Sequence, residues 1–183
     1  RDRLETLIAG LEEGTDAIAF SSGMAAVDAV FHLFSPGDHV ILGDDLYGGS
    51  IRLFTNIYEK NGVEFTYVGT SDLDAVQAAF KPNTKAVYIE TPTNPMMEIT
   101  DVRALSKMAH DHNALVIIDN TFLSPYFQKP LTLGADIVVH SGTKFIGGHH
   151  DVISGFTIVK DDDLAAQLRL IYKTVGACLS AFD

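Results

Sequence analysis

Apolar residues recur along this chain with two alternating periods. Leu4, Leu7, Ile8 and Leu11 keep helical spacing and predict an amphipathic helix with those four on one face, stopped by Glu12, Glu13 and Gly14. Residues 17–20, AIAF, read as a short buried strand. The stretch SSGMAAVDAVFHLF places Met24, Val27, Val30, Phe31 and Phe34 at helical spacing, so Ser21, Ser22 and Gly23 mark a strand-to-helix turn. The alternation continues with a strand at 39–42, a helix carrying Ile51, Phe54, Ile57 and Tyr58, and a strand at 63–68. A short helix at 72–80, a strand at 86–89, a helix at 101–112 and the aliphatic strand 115–118 follow. One more strand leads to Lys144, another lies near 156–159, and a last helix carries Leu164, Leu168, Ile171, Tyr172 and Val175. Strands and helices in turn, with short connections, predict an α/β fold with a mostly parallel sheet and helices on both faces. The chain shows no internal repeat, low-complexity tract or linker, and residues 1–183 are expected to form one domain. The helical pattern is already under way at Arg1, and Asp183 follows no capping signal, so a segment of a longer protein is expected.

Composition narrows the class of partner. A net charge of -11, from 13 basic and 24 acidic residues, disfavours nonspecific attraction to nucleic acid or to an anionic membrane. Neither a signal peptide nor an apolar run long enough to span a bilayer is present in these residues. One cysteine, Cys178, allows no intramolecular disulfide, points to a cytoplasmic setting, and is expected to be a buried small hydrophobe.

Ligands of such sheets bind beyond the carboxyl ends of the strands, and several residues with chemistry fall there. Lys144 follows an apolar strand and a small-residue loop, Ser141, Gly142 and Thr143. A lysine held partly desolvated in such a place is pushed toward a neutral, nucleophilic amine, whereas on composition alone it would be a solvated surface group. The Ser21 to Gly23 turn offers free N–H groups at a helix start, suited to a phosphate, although a plain serine cap has the same sequence. Tyr47, backed by Gly48 and Gly49, can lay its ring on a flat ligand or pack at a helix start. Asn94 lies between Pro92 and Pro95 and is held just past a strand, where a turn asparagine is the bland alternative. Asp119 ends a run of four aliphatic residues and needs a partner or a capping role. A phosphate site, an aromatic face, a carboxylate and a lysine together describe a pocket for a flat phosphorylated aldehyde that forms a Schiff base. Pyridoxal phosphate is that molecule, with Asp119 as partner of its ring nitrogen. No GxGxxG is present, and SGTK lacks the glycine spacing of a nucleotide-binding loop. His149, His150 and Asp151 invite a metal reading, but adjacent residues rarely aim at one point and no third ligand is spaced to help, so no metal is expected.

SSGMAA, DDLYGG, ETPTNP, VIIDNTF and HSGTKFIGGHHDV, in this order, resemble the cofactor domain of the Cys/Met-metabolism family of pyridoxal phosphate enzymes. That family includes cystathionine γ-synthase, the cystathionine β- and γ-lyases, methionine γ-lyase and the O-acylhomoserine sulfhydrylases. The resemblance runs over essentially the whole chain. It implies a fold-type I aminotransferase-like large domain with a seven-stranded sheet, with an N-terminal arm and a C-terminal small domain lying outside these residues. It also implies roles. Lys144 would carry the cofactor as a Schiff base and move the substrate protons, Tyr47 would stack on the ring, and Asp119 would pair with the ring nitrogen. Gly23 and Met24 N–H groups with the Ser141 and Thr143 hydroxyls would hold the phosphate, Asn94 would approach the ring hydroxyl, and Thr121 would line the ring. The implied activity is a C–S lyase of transsulfuration acting on cystathionine, with γ-replacement by a cystathionine γ-synthase or O-acylhomoserine sulfhydrylase as the alternative. A catalytically inactive binding module is the remaining reading. A small amino-acid substrate and a homotetramer built from dimers that share active sites are implied as well.

Overall fold

The computed structural model describes residues 1–183. Its elements are α1 (Asp2–Glu12), β1 (Asp16–Phe20), α2 (Gly23–Phe31), β2 (His39–Gly43), α3 (Gly48–Leu53), β3 (Glu64–Val68), α4 (Leu73–Ala79) and β4 (Thr84–Glu90). They continue with α5 (Val102–Asp111), β5 (Leu115–Asp119), α6 (Ser124–Phe127), β6 (Ile137–Ser141), β7 (Gly155–Val159) and α7 (Asp162–Val175). Seven strands in the order β1-β7-β6-β5-β4-β2-β3 make the sheet, the number expected of the fold. The chain divides into two compact units, Arg1–Leu33 with Asn120–Thr132 and Asp136–Asp183, and Phe34–Asp119 with Leu133–Ala135.

In the first unit β7 runs antiparallel to both β1 and β6, with Gly155 in register with Phe20 on one side and with Ser141 on the other. Helix α2 packs on β6 and β7, and α1 packs on β1. Side chains start the helices where sequence allows: Ser22 caps α2 by accepting the Ala25 N–H, and Asp161 caps α7 by accepting that of Leu164. Gly176 ends α7 in the left-handed region at φ 80°, where a side chain would be strained.

Helix α1 does not bury the stripe that its leucines draw. Its buried residues are Glu5, Ile8, Ala9 and Glu12, while Leu7 and Leu11 are 59% and 43% exposed. Partners explain the two carboxylates. Glu5 accepts the Ala19 N–H at 3.0 Å and the guanidinium of Arg169 at 3.3 Å. Glu12 accepts from His140 Nε2 and, at 2.8 Å, from the Asn120 amide. Cys178 also departs from expectation. It is exposed, because the segment after α7 pairs its backbone with Phe20 and turns Leu179 inward instead.

In the second unit β3, β2, β4 and β5 are parallel neighbours, with Leu42 opposite both Tyr67 and Tyr88. Their interior is aliphatic, and Phe54 packs on Phe65 and Tyr88 with ring centroids 5.6 and 5.4 Å apart. Helix α3 widens into a π-helical turn at Phe54–Tyr58, so this predicted helix has two parts. His39, fully buried at the start of β2, joins three strands: its ring nitrogens lie 2.7 Å from Thr84 Oγ1 and 2.8 Å from Thr66 Oγ1. Burial holds its pKa below the ordinary value, Lys81 adds to the effect, and Glu64 opposes it.

Candidate active site

Six of the sequence-predicted residues lie in the first unit, around the end of β6. The turn after Ser141 is closed by the Lys144 N–H donating to the Ser141 carbonyl at 3.2 Å and the Gly147 N–H donating to that of Gly142 at 2.8 Å. Thr143 is held from the side by Ser154, whose N–H it accepts at 3.1 Å and to whose carbonyl it donates at 3.2 Å. Thr121, buried, accepts the Ser141 N–H at 2.8 Å, so it shapes the turn from behind. Lys144 itself is exposed, where the sequence reading expected partial desolvation; it sits at the top of the turn, between Thr143 and the exposed Phe145.

Gly23 opens α2 directly against this turn. A Cβ at Gly23 would stand 2.8 Å from the Ser141 Cβ, so only glycine lets the helix start lie this close. Gly155 makes the same demand from β7, because a Cβ there would overlap the Ser22 carbonyl and stand 2.7 Å from Gly23 Cα. Helix α2 leaves the N–H groups of Gly23 and Met24 among those without an intrahelical acceptor, close to Ser141. A small anion is what such a donor set can hold. Sequence reasoning singled out Gly23 but missed the part of Gly155, whose only signal was a glycine at the end of the GGHHDVISG run. His149 bonds the Gly147 carbonyl through Nδ1 at 3.1 Å and caps the same turn.

Three predicted residues lie in the second unit, each at the carboxyl end of a parallel strand. Tyr47 follows β2, half exposed, and stands at the N-cap of α3 with its N–H donated to Glu90 Oε2 at 3.0 Å. Asn94 follows β4 in a loop with cis peptides at Thr91-Pro92 and Asn94-Pro95. That loop is tied down by the Thr93 N–H to the Glu98 carbonyl at 3.0 Å and by the Met96 N–H to Asp45 at 2.9 Å. Asp119 ends β5, half-buried, and has the partner its position demanded: the buried Tyr88 hydroxyl donates to it and accepts from Ser50 in turn. Burial and the Asp119 charge hold the Tyr88 hydroxyl well above its ordinary pKa.

Glu90 is the residue that the sequence reading passed over. It ends β4 in register with Asp119, and it is only 4% exposed. Burial first, then the Asp119 charge, push its pKa to about 8, while the Tyr47 N–H acts the other way. The glutamate of ETPTNP carried no periodic signal, since a charged residue after a strand reads as a solvated loop residue.

The chain is 49% identical over 183 residues to a cystathionine gamma-lyase of Bacillus subtilis (strain 168), covering 100% of this chain and 48% of that protein. It is 48% identical to a cystathionine beta-lyase of Lactococcus lactis subsp. cremoris, with the same shares covered. The crystal structure of cystathionine gamma-lyase from Lactobacillus plantarum complexed with L-serine superposes with a TM-score of 0.96 at 51% identity, over 97% of this chain and 46% of that one. The chain thus spans about half the length of the relatives it matches. Residues 1–183 match throughout the family described as Cys/Met metabolism PLP-dependent enzyme, and the chain belongs to that family.

Proposed function

We propose that residues 1–183 form the pyridoxal-phosphate-binding large domain of a C–S lyase that cleaves cystathionine by β- or γ-elimination. The observation that carries this reading is the start of α2, where glycine at 23 and at 155 lets the free N–H groups of the helix lie against Ser141, three residues before Lys144. Free N–H groups at a helix start beside a serine hydroxyl fit a phosphate group, and a lysine three residues on fits an aldehyde.

By the family resemblance, the Gly23 and Met24 N–H groups and the Ser141 and Thr143 hydroxyls would hold the phosphate, with Thr121 holding the turn and lining the ring. The Tyr47 ring would be a stacking face, Asp119 would meet the ring nitrogen and Asn94 the ring hydroxyl. When bound, pyridoxal phosphate supplies an electrophilic carbon to the substrate amine and an electron sink for charge released at its Cα. Asp119, negatively charged, favours a proton on the ring nitrogen. The Lys144 amine takes the Cα proton and returns a proton toward the departing group. Tyr47, beside the reacting face, contributes to both catalysis and cofactor binding.

A homo-oligomer is part of this reading. Its support is the exposed apolar set of the first unit, Leu7, Leu11, Tyr126, Phe127 and Phe145, with Tyr126 86% exposed. A cytoplasmic setting suits the unpaired Cys178. No helix is long and apolar enough to cross a membrane.

Borohydride treatment of the protein with pyridoxal phosphate tests the cofactor assignment: the label should map to Lys144 and be absent from Lys144→Ala. Labelling of Lys144→Ala equal to that of the wild type would overturn it. Offering cystathionine, and separately an acylhomoserine with cysteine, then identifying the ketoacid and thiol products separates the lyase from γ-replacement. A protein that forms no reducible adduct with pyridoxal phosphate would favour the inactive binding module.

A further inference from the structure

Tyr47 is clamped by its backbone at both ends, and both clamps lead to Asp119. Its N–H is donated to Glu90 at 3.0 Å, and Glu90 lies in register with Asp119 on the adjoining strand. Its carbonyl accepts the Ser50 N–H at 2.9 Å, and the Ser50 hydroxyl leads through the Tyr88 hydroxyl to the same Asp119. The Tyr47 side chain makes no hydrogen bond of its own that would fix the ring, which stands 47% exposed. Where the ring sits is therefore decided by the backbone, and on the N–H side by one buried carboxyl group.

We propose that Glu90 is a positioning residue: by accepting the Tyr47 N–H from the end of β4, it fixes the Tyr47 ring relative to Asp119, so that a flat cationic ring is held between the two. This rests on the reading above, in which Tyr47 stacks on pyridoxal phosphate and Asp119 meets its ring nitrogen. Glu90 acts through Tyr47 and does not touch the cofactor. Its burial is consistent with that role, because a carboxyl group hidden at a strand end without a partner would be costly, and Tyr47 N–H is the donor the structure gives it.

Three proteins test it: wild type, Glu90→Ala and Glu90→Gln. In the absence of cofactor, amide exchange at Tyr47 should be slow in wild type and Glu90→Gln, and at least about tenfold faster in Glu90→Ala, which lacks the acceptor. With pyridoxal phosphate, Glu90→Ala should bind about tenfold more weakly, and the circular dichroism of the bound cofactor should fall because the stacking face is no longer fixed. Glu90→Gln keeps an acceptor oxygen of the same reach and should rescue both. If Glu90→Ala does not fold, Glu90→Asp, which withdraws the carboxyl by one methylene, carries the same comparison. Unchanged Tyr47 exchange, or unchanged affinity and dichroism in the Ala or Asp variant, overturns the role of Glu90 and leaves the cofactor reading standing. Failure of Glu90→Gln to rescue also overturns it, since charge rather than the bond would then matter. A wild type that binds no pyridoxal phosphate overturns both.

Discussion

Replacing Glu90 with glutamine should make the cofactor-free protein more stable, by an amount that depends on pH. In the folded protein Glu90 titrates at about 8 against an ordinary 4.5, chiefly because it is buried and also because Asp119 faces it. A carboxyl whose folded pKa is raised contributes stability in full below its unfolded pKa and loses it as pH rises through the folded value. Between those limits the unfolded chain has released a proton that the folded chain retains. Each unit of separation corresponds to about 1.4 kcal/mol, so the loss is roughly 3 kcal/mol by neutral pH and approaches roughly 5 kcal/mol above pH 8.

Glu90→Gln removes the ionisation and keeps the volume and the oxygen that accepts the Tyr47 N–H. Urea denaturation of both proteins across the pH range should therefore give a stability difference that is smallest near pH 4 and grows in favour of glutamine toward about pH 9. A difference that stays flat within about 1 kcal/mol from acid to alkali would refute the reasoning, for it would mean that Glu90 is as well solvated folded as unfolded. Such a cost in the cofactor-free state is one that sites under functional demand tolerate.

Gly155→Ala should lower stability by about 1–3 kcal/mol or more and weaken pyridoxal phosphate binding, because the new methyl meets the Ser22 carbonyl and Gly23 Cα; a melting curve and a cofactor titration check both. Glu12→Ala should cost about 3–5 kcal/mol, since it leaves His140 and the Asn120 amide facing an empty site in the core of the first unit, and an unchanged melting temperature would contradict the pairing. His39 has a folded pKa below the ordinary 6.5, so its contribution is present above that value and is lost as pH falls through the lower one; His39→Gln should shift the acid-unfolding midpoint relative to wild type and leave the neutral-to-alkaline limb parallel to it.

The placement of the candidate site was legible because strand ends are legible. Four aliphatic residues before Asp119 and the apolar run before Ser141 fix where β5 and β6 stop, and the carboxyl ends of such strands are where ligands bind. The start of α2 could be read from Ser22 alone, whose side chain caps the helix as its type suggests. Distances across the turn were not legible. That Gly23 meets Ser141 while Gly155 meets Ser22 depends on β7 running antiparallel to β6 and β1, and strand direction leaves no mark in a five-residue apolar run. The short helix α6 was missed for a related reason: SPYF offers no period to count, and Pro125 suggests a turn as readily as a first helical turn.

The reading failed most clearly at the carboxylates. Periodicity sorts a helix by hydrophobicity, and it assigns a glutamate to solvent because burying an unpaired charge is costly. In α1 that rule inverts the helix, because the partners of its glutamates come from far along the chain: Glu5 meets Ala19 and Arg169, and Glu12 meets His140, 128 residues away. Glu90 follows the same logic with Tyr47. Once partners of that kind exist, a buried carboxylate is a directional contact, able to orient a strand end or a loop as an aliphatic residue cannot. The inversion has a second effect. With Glu5 and Glu12 turned inward, Leu7 and Leu11 are left facing out beside the exposed rings of α6, so the polar contacts that hold α1 in place are also what gives the first unit an exposed apolar face.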